Sequence, residues 1–382
     1  MIDQIPTHTH TLVIGAGVTG LSIAYHLARY KSEDVLVLDQ FDLLGFGSSG
    51  RSAGGFRQQF SQLDNISLAM GSKSFFEHFE ENFGINLSLK KNGYLLLAQS
   101  GEELESLHKD CHLQQSLKLP VEHLGPDKLA SRFPYLNRSD LLGANLCLED
   151  GYLDPHSLLQ GYLNAILEAG YKVLFGVKVR QIKQHQKNGT FIVNTSQGSL
   201  MCTQIINAAG AWSSQIAAMI GETLPVKVRK RQIFVSDSFP LIGETPLIIQ
   251  MHQPFYFRKE GDVFLLSIAE TDPLTKESYE DPPVNWSSTA ILAERAIQRV
   301  PLFENLSLVR AWAGLRTLTA DDKPILCRSL INPFVFHACG LSGHGISFSP
   351  SVGRLMAGLI HNQAPLVKQL RPFRLDRFSK KD

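Results

Sequence analysis

Three glycines and an aspartate carry the first chemical signal in the chain. The run Gly15-Ala16-Gly17-Val18-Thr19-Gly20 follows Thr11-Leu-Val-Ile14, which reads as a buried strand, and leads into residues 20–29, where Leu21, Ala24, Leu27 and Ala28 share one helical face. Residues 35–38, Val-Leu-Val-Leu, form a second β-rich run that ends at Asp39 and Gln40. Strand, glycine loop, helix, strand and acid in this order predict a βαβ unit that binds a dinucleotide. Gly15 permits the tight turn, Gly17 lets the backbone approach a pyrophosphate at the helix N-terminus, and Gly20 allows close helix–strand contact. Asp39 would accept a ribose hydroxyl, and its charge would repel a 2′-phosphate.

Further along, arginines stand in small or apolar surroundings. Ser48-Ser49-Gly50-Arg51-Ser52-Ala53-Gly54-Gly55-Phe56-Arg57 is a loop whose small residues let backbone N–H groups pack against a flat ring and a pyrophosphate, or else a plain surface loop. Asn207-Ala208-Ala209-Gly210-Ala211-Trp212 ends a strand at a glycine, as a backbone touching a cofactor or an ordinary turn would. Gly343-His344-Gly345-Ile346 lies just before a helix and can aim amides and the positive end of its dipole at an anion, with His344 as a contact or a spacer. Arg316, in Trp312-Ala-Gly314-Leu-Arg316-Thr-Leu-Thr319, offers the guanidinium fork that binds a carboxylate through two parallel hydrogen bonds, against the alternative of a surface ion pair. Tyr256, in Phe255-Tyr256-Phe257-Arg258, reads as a core aromatic or as a binding residue.

Together these segments resemble the FAD-dependent D-amino-acid oxidase superfamily, nearest its glycine oxidase, sarcosine oxidase β-subunit and dimethylglycine or proline dehydrogenase branch. The resemblance spans nearly the whole chain in the expected order. It implies one FAD, bound non-covalently, with Val179 meeting the adenine and the 343–346 backbone meeting the flavin pyrimidine edge. The same resemblance puts Ala16, Val18, Thr19, Gln40, Ser48, Ser49, Gly50, Arg51, Ser52, Ala53, Ala209, Gly210, Trp212 and Gly314 among the cofactor contacts. It assigns the substrate carboxylate to Arg316, with Arg57 as a second candidate, and matches Tyr256 to a tyrosine of the sarcosine and dimethylglycine group.

The departures are as informative. Gly314 and Ser347 stand where monomeric sarcosine oxidase has its flavin-linking cysteine and its carboxylate lysine, so covalent attachment at that site is impossible. The second arginine of glycine oxidase is absent, and Leu266 aligns with a lysine that activates oxygen. The implied activity is hydride removal from the α-carbon of a small amino or N-alkylamino acid, giving an imine that water hydrolyses. The alternatives are a flavin-binding assembly protein, and one subunit of a heteromeric dehydrogenase that passes electrons to a partner.

These residues require an α/β architecture: a Rossmann-like FAD-binding domain and a second, antiparallel-sheet substrate domain. Helical patterns cover 64–83, 101–117, 156–169 and 288–300, and strands are expected at 94–98, 172–180, 190–195, 200–206 and through 226–267, with turns at Asn188-Gly189 and Gln197-Gly198. A last helix is expected to be capped by Ser349 with Pro350 at its first position. The signals divide the chain into a discontinuous FAD-binding domain (1–88, 150–224 and 318–382) and a substrate domain (89–149 and 225–317).

Composition narrows the remaining classes. Of 382 residues, 43% are apolar and 19% charged, which excludes a disordered or low-complexity chain. Thirty-seven basic against 36 acidic residues leave no whole-chain field for nucleic acid or an anionic membrane. Five dispersed cysteines without a CxxC argue against a structural metal or a disulfide framework and fit a reducing cytoplasm. The apolar stretch 12–28 is interrupted by patterned glycines and polar residues, so neither a transmembrane span nor a signal peptide is expected.

Overall fold

The structure, a computed structural model, describes residues 4–184, 189–239, 243, 245–251, 255–268 and 274–379. His8–Ile14 is the hub of the first sheet. It runs parallel to Val35–Leu38 on one side and to Gly198–Asn207 on the other. Lys172–Leu174 and Val335–Cys339 extend the parallel set, and Ile325–Arg328 adds an antiparallel edge. Successive side chains take opposite faces, which is why adjacent apolar residues serve different cores. Val13, Val35 and Val37 pack with the helices Val18–Arg29, Pro155–Glu168 and Gly345–Ile360, whereas Leu12, Ile14, Leu36 and Leu38 pack beneath Val179–Gln184 and Phe191–Thr195.

The second sheet has the order Leu308–Leu318, Lys227–Ser236, Val263–Ile268, Phe255–Glu260, Leu247–Gln250, Tyr94–Ala98, Gly143–Cys147, Val121–Leu124. Its neighbours are antiparallel except Leu247–Gln250 against Tyr94–Ala98, which is parallel because the chain crosses between the two halves of the sheet there. One face buries Leu95, Leu97, Phe234, Ile248, Phe255, Phe257, Phe264 and Leu266 with Leu292 and Ala296 of the helix Thr289–Arg299. The opposite face turns Tyr94, Leu96, Ile233, Leu247, Ile249, Tyr256 and Arg316 toward the glycine loop of the first sheet.

Several local expectations are corrected. The helical stretch 64–83 is two helices, Leu63–Glu77 and Phe79–Phe83, broken at His78. The run 172–180 is two strands, Lys172–Leu174 and Val179–Gln184, because Gly176 takes φ +72°. The last long helix starts at Gly345, so Ser349 and Pro350 lie inside it rather than at its cap. Pro350 has no N–H to give to Ile346 O, and Ser349 Oγ donates to that carbonyl instead at 3.2 Å. Asn188 lies outside the described residues, although the strands on either side of it pair antiparallel.

Candidate active site

Gly15 has φ +110°, and a Cβ there would lie 2.5 Å from Ala208 O; a Cβ on Gly20 would lie 1.9 Å from Gly15 O. Both positions therefore exclude any side chain. Gly17 caps Val18–Arg29 with no side-chain bond and no acid in the first turn, so the positive helix end is left open. Val18 N donates to Ser49 Oγ at 3.0 Å, which ties the small-residue loop to the helix start. Asp39 accepts from Ala16 N at 2.7 Å and from Phe41 N at 2.9 Å, bracing the glycine loop from the second strand. Burial pushes its carboxyl above the ordinary value, and these two amides oppose the shift.

A cavity of about 860 Å³ starts at this loop. It is lined by Asp39, Gln40 and Val179, by Gly15–Thr19, Ser48, Ser49, Arg51, Ser52, Ala53, Ala209, Gly210 and Trp212, and by Arg57, Tyr256, Gly314, Arg316 and Gly343–Ile346. Among the residues singled out from sequence, Gly20 and Gly50 stand behind the lining. A Cβ on Gly50 would lie 2.2 Å from Gly45 O, so it serves the loop's packing. Trp312 Nε1 donates to Arg51 O at 2.8 Å, and Arg51 Nη1 donates to Ala313 O at 3.1 Å, joining the loop to the second sheet.

The part of the cavity around Arg316 and His344 is cationic. Arg316 Nη2 donates to Ser342 O at 3.1 Å, while its Nε is buried without a partner. Burial, then the nearby Arg231 guanidinium, pushes Arg316 down to about 10. Arg57 lies 4.5 Å over the Phe60 ring and donates from Nη2 to His344 Nε2 at 3.4 Å. That bond requires a neutral His344, and burial with Arg57 and Arg316 beside it holds its pKa well below the ordinary value. The helix Gly345–Ile360 opens on the same part with no acid in its first turn and no side-chain cap.

Behind Arg57 lies a buried acid that does not reach the cavity. Asp150 is fully covered and accepts from Gln58 N at 2.8 Å and from Gln59 Nε2 at 3.1 Å. Burial pushes its carboxyl up to about 6, against the pull of these donors and of Arg57.

Sequence reasoning missed Arg231, Tyr94, Gln59, Asp110 and Asp322, all of which line the cavity. Strand parity was the available signal for two of them: Arg231 is two residues before the cavity-facing Ile233, and Tyr94 two before Leu96. Parity also corrects the comparison made at Leu266, which packs between Phe234 and Phe257 on the far face. The cavity face of that strand carries Leu265 and Ser267, opposite Arg258 and Tyr256. Arg258 donates from Nε to Ala53 O at 2.8 Å and pairs with Glu260.

The open helix ends, the glycine cradle that a Cβ would fill, and the length of the cavity fit a dinucleotide cofactor. Among the described residues no group of three or more His, Cys, Asp or Glu could hold a metal ion, no cysteine lines the cavity, and no helix is long and apolar enough to cross a membrane.

Comparison with known proteins agrees with this geometry. The profile of the family described as FAD dependent oxidoreductase matches residues 10–359. The chain is 30% identical to FAD-dependent oxidoreductase domain-containing protein 1 of Xenopus laevis, over 98% of this chain and 84% of that protein. It is 25% identical to sarcosine oxidase subunit beta of Rhodobacter capsulatus, over 96% of this chain and 88% of that one. Among solved structures, L-proline dehydrogenase from P. horikoshii superposes with a TM-score of 0.86 at 25% identity, covering 94% of this chain and 95% of the other.

Proposed function

The chain belongs to the FAD dependent oxidoreductase family, and from that premise we propose that it oxidises the Cα–N bond of a small amino or N-alkylamino acid to an imine. FAD, when bound, supplies the hydride-accepting ring. The backbone of residues 15–19 with Ser48 and Ser49 would hold the pyrophosphate, and Val179 the adenine end. Each Asp39 oxygen keeps a second lone pair for a ribose hydroxyl beside the amide it already accepts. The amides of 343–346 would face the ring's electron-rich edge with the helix dipole behind them.

Arg316 would grip the substrate carboxylate, and this assignment carries the reading: a buried guanidinium with an unpartnered Nε belongs to a cavity lined by three further arginines, Arg51, Arg57 and Arg231. Binding of an anion there replaces solvation the site has removed, so the orientation of Cα follows from the fork's two parallel bonds. Arg57 and Tyr256 stand as the second anchor and a polar wall. A neutral amine needs no side-chain base, and Asp150, behind Arg57 and off the lining, does not serve as one.

The same reading divides the chain into a cofactor unit of 1–88, 150–224 and 318–382 and a substrate unit of 89–149 and 225–317, supported by the membership of the two sheets. A relative named as a subunit supports an electron-accepting partner as a second element of the proposal. Anaerobic titration of the yellow protein with glycine, sarcosine, dimethylglycine, L-proline and D-amino acids tests it. Bleaching of the flavin by one of these is expected; none bleaching it would leave a flavin-binding assembly role instead.

A further inference from the structure

Arg316 does not stand alone. Arg231 Nη1 is also buried without a partner, and the two residues come from adjacent antiparallel strands. Arg231 lies opposite Gly314, and Arg229 lies opposite Arg316. Residues directly opposite share a face, as do residues two apart, so Arg231 and Arg316 are diagonal neighbours on the cavity face, about 7 to 8 Å apart. Gly314 itself carries no side chain, and Arg51 packs over it.

Each guanidinium raises the cost of the other, and Arg231 is the largest charge acting on Arg316. Asp110 and Asp322 reach the cavity lining, yet among the described residues no ion pair joins either of them to Arg231 or Arg316. One carboxylate fills one guanidinium fork. Two forks on one cavity face suit two carboxylates carried by one small molecule.

We propose that the substrate is a small amino dicarboxylate, with Arg316 holding the carboxylate on the oxidised carbon and Arg231 holding the second one. This rests on the oxidation reading above for the word substrate, but the binding geometry is tested without turnover. Thiodiacetate carries two carboxylates and methylthioacetate one, and neither has a Cα–N bond to oxidise. Their binding to the FAD-loaded protein is read from the perturbed flavin absorbance.

Thiodiacetate is expected to bind about 10- to 100-fold tighter, the value of a charge-assisted contact. Arg231→Met should collapse that preference toward equality and Arg231→Lys should restore part of it, both with FAD content verified by absorbance. Arg316→Met should weaken both ligands. Equal affinity of the two ligands for the unmodified protein would overturn the proposal, as would equal weakening of both by Arg231→Met, which would put both arginines on one carboxylate. A dicarboxylate preference in a protein whose flavin no amino acid bleaches would retain this site and reject the oxidation reading; binding of neither ligand would reject both.

Discussion

Replacing Arg316 with methionine should move stability and binding in opposite directions. Burial and Arg231 lower the pKa of this group from its ordinary value to about 10, and at 1.36 kcal/mol per pH unit the difference amounts to about 3 kcal/mol held against the fold. The sign follows from linkage: a cation whose folded value is depressed is penalised in full below pH 10, where it is charged in both states, and the penalty fades as pH rises toward the ordinary guanidinium value. Methionine removes that cost and forfeits the bond from Nη2 to Ser342 O, about 1 kcal/mol. The net gain of about 2 kcal/mol should raise the Tm of the apoprotein at pH 7 by about 2 °C. Loss of two charge-assisted bonds to a carboxylate should meanwhile slow anaerobic flavin reduction at subsaturating amino acid by about 100-fold or more. Differential scanning calorimetry and stopped-flow bleaching read the two effects. A variant that melts lower than the parent and still reduces its flavin at the parental rate would refute both the electrostatic argument and the anchoring role.

Three further outcomes are expected. Asp39→Ala removes two amide bonds that brace the glycine loop and should lower FAD affinity by about tenfold or more, measured by titrating apoprotein with FAD; an unchanged affinity would remove Asp39 from the site. Because Asp150 has its carboxyl pushed up to about 6 by burial, the folded state holds a proton there that the unfolded state has lost, and stability falls as pH rises from about 4 to 6. Asp150→Asn should abolish that slope, so its stability relative to the parent in urea unfolding should grow by up to about 3 kcal/mol across this window; parallel pH profiles would contradict the assignment. Oxygen should reoxidise the reduced protein more slowly than an artificial acceptor does while the product carboxylate occupies the cavity arginines, since Leu265 and Ser267 are uncharged, Arg258 is paired with Glu260 and His344 is held neutral. Reoxidation in air-saturated buffer as fast as substrate-driven reduction would restore a peroxide-forming oxidase.

The glycine-loop part of the cavity is legible in the order of residues because its determinants are local. A turn at positive φ, a Cβ-free approach and a helix N-terminus each need a few consecutive residues, and Gly15, Gly17 and the 343–346 run carry them whatever the rest of the chain does. The family resemblance likewise followed contiguous runs. What the order of residues did not decide is what side chains do after the sheets are assembled. Period two means that a shift of one residue exchanges the faces of a strand, and so Leu266 belongs to the core while Arg231, unremarkable among the charges of 227–231, joins Arg316 over the cavity. Asp150 reaches Arg57 only because the short pair Gly55–Phe56 and Gly151–Tyr152 brings two distant segments together. The start of the last helix was misplaced for the same kind of reason: Ser349 and Pro350 carry the local marks of a cap, but packing against Val18–Arg29 buries both, with Ser22 Oγ donating to Ser349 O at 2.7 Å, and tertiary contact extends the helix back to Gly345.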